Sequence, residues 1–120
     1  MRILDGEQML VRIFIGESDT WKMQPLADAL LERLRQQGFA GATVLRGVSG
    51  FGAHSVLHTA NLLRLSQDLP IVIEVVDTEE NTKKLVPILD EMVPEGLVTI
   101  EKVRVLKYAA RPPRFTDTTR

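Results

Sequence analysis

The chain of 120 residues contains no cysteine. Disulfides, thiolate nucleophiles and cysteine-ligated zinc sites are thereby excluded, and a reducing compartment suits it as well as any. Aromatic residues are scarce, with 1 Trp, 1 Tyr and 4 Phe, too few for the stacking platform on which sheet proteins bind single-stranded RNA. Charge of one sign is also lacking. The 15 basic and 16 acidic residues leave a net charge of −1, so no global field draws the chain to nucleic acid or to an anionic membrane, and an anion site must be local. No window reaches the roughly eighteen apolar residues of a membrane span. Met1 to Gln8 have neither the apolar region nor the cleavage pattern of a signal peptide. A cytoplasmic protein without direct membrane insertion is expected.

What is present is a hydrophobic fraction of 44%, enough for a real core in one domain. That domain is expected over residues 1–110, with 111–120 a flexible tail rich in proline and polar residues. From Met9 to Ile15 the residues Met9, Val11, Ile13 and Ile15 alternate with Leu10, Arg12 and Phe14, a strand with an apolar majority on both faces. Ser18, Asp19 and Thr20 are candidate caps for a helix with Met23, Ala27, Leu30 and Leu34 on its inner stripe, stopped at Gly38. A second strand covers about Ala42 to Val48. The span 49–69 is long for a connection in a compact domain, and its leucines suggest cover from a neighbour. Ile71 to Val76, interrupted only by Glu74, reads as a central strand. Thr78 caps a helix to about Met92 that Pro87 should kink. Leu97 to Tyr108 reads as extended, with a break near Glu101.

This order is the double split unit of a ferredoxin-like βαββαβ sandwich, an α+β fold whose antiparallel sheet carries two helices on one face. Two helices cover only that face. The other holds Leu10, Phe14, Val72, Val76 and Leu106, and its burial against other subunits is expected, with Arg12, Glu74 and Arg104 pairing across the interface.

The stretch Arg46-Gly47-Val48-Ser49-Gly50-Phe51-Gly52-Ala53-His54 is the candidate site. Glycines at a strand end let several N–H groups converge on one anion, while Arg46 and Ser49 add a cationic fork and a hydroxyl. Taken alone, such a turn more often only redirects the chain. His54 and His58 share a helical face but lack a third ligand, so no metal site is expected. Asp77, Glu79 and Glu80 stand at a helix start, where acids serve as caps rather than as a catalytic pair. The third glycine of the dinucleotide fingerprint and the Gly-Lys-Ser/Thr of a P-loop are both missing. A small enzyme using the same cleft and a structural oligomer with no nucleotide remain alternatives, but no nucleophile with a paired base favours an enzyme.

Ala42 to Gly52, followed by Leu69-Pro70-Ile71-Val72-Ile73-Glu74-Val75-Val76, resembles the corresponding region of PII signal-transduction proteins and, more closely, of their bacterial and archaeal PII-like relatives. The resemblance runs from about Gln8 to Tyr108. It implies a homotrimer that binds an adenine nucleotide in clefts between subunits and regulates a partner protein through the long connection, the T-loop of the family. A membrane transporter or channel is the partner suggested by analogy. The implied nucleotide site comprises Arg46, Gly47, Ser49, Gly50, Phe51, Gly52, Glu74, Gly96, Leu97 and Val98, with Pro94 to Val98 in the place of the B-loop that closes over the phosphates. Pro94-Glu95-Gly96-Leu97 lacks that loop's lysine and second glycine, the T-loop tyrosine has no equivalent, and Arg111 and Arg114 only loosely match the C-terminal basic pair. Fewer cations favour AMP or ADP over ATP.

Overall fold

The computed structural model describes residues 4–52, 58–59 and 68–109. Strand β1 (Gly6–Gly16) buries Val11, Ile13 and Ile15 on one side and turns Leu10, Arg12 and Phe14 to the other, as alternation requires. The short strands β2 (Thr20–Trp21) and β3 (Gln24–Pro25) then form a hairpin whose turn residues Lys22 and Met23 have φ of +48° and +68°. Helix α1 (Leu26–Gln36) buries Leu26, Ala29, Leu30 and Leu34.

The helix therefore starts later than the sequence suggests. Pro25 disfavours helical backbone at Gln24, so the preceding residues close a primed hairpin instead of a first helical turn. Asp19 is not a helix cap: its carboxylate accepts the Gly16 N–H at 2.9 Å, and its carbonyl accepts the Leu26 N–H at 2.8 Å. Met23 leaves the inner stripe and stands 98% exposed at the hairpin tip. The other end follows expectation. Gly38, at φ +82°, lets the Phe39 N–H return to the Leu34 carbonyl and the Gly38 N–H to that of Arg35, closing a Schellman motif.

Strand β4 (Thr43–Arg46) leads to the short pair β5 (Ser49–Gly50) and β6 (His58–Thr59). Strand β7 (Pro70–Asp77) buries Ile71, Ile73, Val75 and Asp77 on one face. Asp77 accepts the Ala40 N–H at 2.9 Å and the Thr78 N–H at 2.7 Å, which ties the strand end to the loop before β4. The Thr78 hydroxyl caps α2 (Glu79–Thr82) by accepting the Asn81 N–H. A break at Lys83 and Lys84 separates it from α3 (Leu85–Met92). Pro87 has no N–H for the Lys83 carbonyl and its ring crowds that carbonyl, so the kink becomes an interruption four residues upstream. Strand β8 (Leu97–Val105) is continuous through Glu101, which stands opposite Leu10 in its full ladder with β1.

The sheet order is β4-β7-β1-β8 and every pairing is antiparallel. Both helical segments bury their apolar residues with Val11, Ile13, Ile15, Ile71, Ile73 and Val75 in one core. This is the ferredoxin-like α+β sandwich. On the reverse face Leu45 and Leu97 are exposed and Leu10, Phe14, Val72 and Val76 half-buried. Its charges pair within the chain: Arg12 donates to Glu74 opposite it and to Glu101 on the diagonal, each at 2.9 Å. Arg104 stands opposite Glu7, on the helix side by alternation, and takes no part in this cluster. The leucine-rich stretch at 53–57 and 60–67, with His54, and the expected tail at 111–120 lie outside the described residues.

Candidate functional site

Arg46 closes β4 opposite Ile71, and Gly47 crosses the start of β7. The Gly47 N–H donates to the Pro70 carbonyl at 2.7 Å. A Cβ at Gly47 would stand 2.6 Å from Pro70 Cγ, and one at Gly50 3.1 Å from the same atom. Both glycines are thus where the backbone must pass the proline ring at close range. Ser49 and Gly50 pair with Thr59 and His58, and Phe51 is 78% exposed just beyond them. Gly52 ends this described segment.

The Arg46 guanidinium reaches across the start of β7 to Glu17, placing Nε 2.9 Å from Oε2 and Nη2 3.2 Å from Oε1. This two-pronged pair had no signal in the sequence, since Glu17 is merely the residue after a strand-ending glycine. The loop that bears it is held in place. Glu17 N–H donates to the Leu69 carbonyl and Ser18 N–H to Asp68 Oδ1, each at 2.8 Å. A Cβ on Gly16 would come within 2.8 Å of the same Asp68 oxygen. One cation of the candidate site is therefore paired with Glu17, on a loop that also carries Asp19 and is held by Asp68 from the segment before β7.

Gly96 precedes β8, and Leu97 and Val98 begin it, with Leu97 opposite Phe14 and Val98 opposite Ile13. Gly96 has φ +154°, and a Cβ there would meet the Phe14 carbonyl oxygen at 2.7 Å. These residues share the end of the sheet that holds Arg46, because β1 and β4 both finish where β7 and β8 start. They lie on the opposite edge, however, three strand spacings or about 14 Å away. Glu74 stands apart from both groups, in the middle of the reverse face. Its bond to Arg12 is the main influence raising that guanidinium above its ordinary pKa, against the opposing effect of burial. Glu74 also lines a groove with Ala42, Thr43, Val76, Val105 and Tyr108. The Tyr108 hydroxyl donates to the Ala40 carbonyl at 3.1 Å, bringing the segment after β8 back beside the start of β4.

The ten residues singled out by sequence thus fall into three places: 46–52 at the end of β4, 96–98 at the start of β8, and Glu74 between the edges. Among the described residues no group of three or more His, Asp or Glu could hold a metal ion. No described helix is long and apolar enough to cross a membrane.

Residues 8–105 match the DUF190 family, described as "Uncharacterized ACR". A UPF0166 protein of Aquifex aeolicus is 35% identical over 108 residues, covering 88% of this chain and 98% of its own. A UPF0166 protein of Methanocaldococcus jannaschii is 33% identical over 99 residues, covering 82% and 91%. Among solved structures, CPII from Thiomonas intermedia K12 aligns with a TM-score of 0.61 over 87% of this chain and 92% of its own, at 19% identity. CPII is a nitrogen regulatory PII-like protein whose structure holds ADP, AMP and bicarbonate. The likeness shows that the two share a fold.

Proposed function

We propose that this chain, which belongs to the DUF190 family, is a PII-like regulatory protein that binds AMP or ADP between the subunits of a homotrimer. The observation that carries this reading is the placement of the two candidate phosphate-holding segments, Arg46 to Gly52 and Gly96 to Val98, at one end of the sheet but on opposite edges. Neither closes over the other within one chain. A neighbouring copy on the apolar reverse face brings the β4 end of one subunit toward the β8 start of another, and the cleft so formed is the site. Its working domain is residues 1–110.

In that cleft Arg46 supplies a charge-assisted contact to phosphate and Ser49 a hydroxyl, while Gly47 and Gly50 keep the backbone close. The N–H of Gly47 is engaged by Pro70, so its contribution is the absence of a side chain. The CPII structure supports the ligand class, since its fold is shared and it holds ADP and AMP. The carboxylate beside Arg46 supports a small phosphate load, because each further negative charge on the ligand meets Glu17. The 49–69 connection carries the signal to a regulated partner, for which a transporter or channel is the analogy.

Calorimetric titration with AMP, ADP and ATP tests the reading. AMP or ADP should bind more tightly than ATP, and Arg46→Ala should weaken binding about tenfold, the worth of roughly 1.5 kcal/mol. Absence of binding by the wild-type protein at millimolar nucleotide would overturn it.

A further inference from the structure

The fork of Arg46 is already taken by a carboxylate. A phosphate and a carboxylate present the same pair of acceptors to a guanidinium, so the Glu17 geometry, with Nε and Nη2 each facing one oxygen, is the geometry a phosphate would adopt. Both side chains retain solvent contact, Arg46 being 59% and Glu17 36% exposed. Exchange of one acceptor for another therefore needs only side-chain rotation. The main chain of Glu17 is fixed through Leu69, and Ser18 is held by Asp68, so the displaced carboxylate stays near the ligand.

We propose that Glu17 is a specificity-determining residue that competes internally for Arg46 and penalises each added phosphate charge. This inference rests on the nucleotide reading and deepens it. An AMP phosphate that takes the fork displaces one carboxylate from a solvent-exposed pair, a small cost. A triphosphate takes the same fork but brings further negative charge beside a carboxylate that cannot withdraw with its backbone. Glu17 thus holds Arg46 oriented when the site is empty and discriminates against highly charged ligands when it fills.

Glu17→Gln keeps the shape and removes the charge. Its affinity for nucleotide should rise about two- to fivefold, the range of an exposed ion pair, with the largest gain for ATP and the smallest for AMP. In an Arg46→Ala background the same substitution should give a clearly smaller gain, because no fork remains to be released. A second readout needs no nucleotide: phenylglyoxal should modify Arg46 faster in Glu17→Gln than in wild type, as followed by peptide mass. If wild type binds and Glu17→Gln binds each of the three nucleotides no more tightly than wild type does, the nucleotide reading stands and this inference alone is overturned. Unchanged labelling of Arg46 likewise overturns it. If neither protein binds any of the three, the nucleotide reading falls and the inference with it.

Discussion

Gly96 shows how much one missing side chain supports. It combines a φ of +154°, which residues with a Cβ rarely adopt, with a carbonyl oxygen 2.7 Å from where that Cβ would be. Gly96→Ala should cost about 2 kcal/mol or more, since both backbone strain and a contact with main chain must be relieved. Gly38 is the control. It also has positive φ, +82°, but nothing lies within 4 Å of its would-be Cβ, so Gly38→Ala should cost only about 1 kcal/mol. Urea unfolding of the two variants checks the order, and equal losses would show that the Phe14 contact contributes nothing. At this scale the sequence was legible for identity and not for cause. Gly47, Gly50 and Gly96 stood out as glycines, but the need for them comes from Pro70 and Phe14, whose proximity only the folded sheet creates. Arg46 stood out as a cation, whereas Glu17, 29 positions away, had no pattern to mark it.

Between elements, the two helical segments are joined by one ion pair whose strength depends on pH. Arg33 of α1 donates to both oxygens of Glu91 in α3, at 3.0 and 3.3 Å. Arg33 is the first cause of a Glu91 pKa below the ordinary carboxylate value, with burial opposing and Lys22 adding to it. A carboxyl whose folded pKa is lowered binds fewer protons than in the unfolded chain. Its stabilisation is complete above the unfolded value of about 4.3 and fades as pH falls through the lowered folded value. The thermal midpoint of wild type should therefore exceed that of Glu91→Gln at neutral pH, and the gap should close in acid. A gap that is constant with pH would mean that Glu91 acts by packing alone. Alternation made β1 and β7 readable as strands, and Gly38 marked the end of α1. The start of α1 and the break at Lys83 and Lys84 were harder, because a proline's effect falls on residues before it. Where that effect becomes a hairpin or a break is decided by tertiary packing.

For the whole molecule, the order of elements sufficed to give the sheet topology, and the two apolar sides of β1 and β7 announced a face that two helices cannot cover. The fold leaves Leu45 and Leu97 exposed there, beside the half-buried Phe14 and Val72. The sequence could not show that Arg12, Glu74 and Glu101 already satisfy one another on this face. In the proposed trimer another copy covers this face, and because Arg12 offsets only one of its two glutamates, one negative charge is left for the contact to accommodate. Sedimentation of the wild-type protein should therefore give three times the chain mass of 13.5 kDa. Phe14→Asp should release monomers or insoluble protein, because a carboxylate would sit beside Val72 and Leu97 on the face that the trimer covers. Lys22→Asp, at the tip of the hairpin on the helix side, should leave the mass unchanged. A monomeric wild type at micromolar concentration would overturn the trimer and, with it, a cleft that needs β4 from one chain and β8 from another.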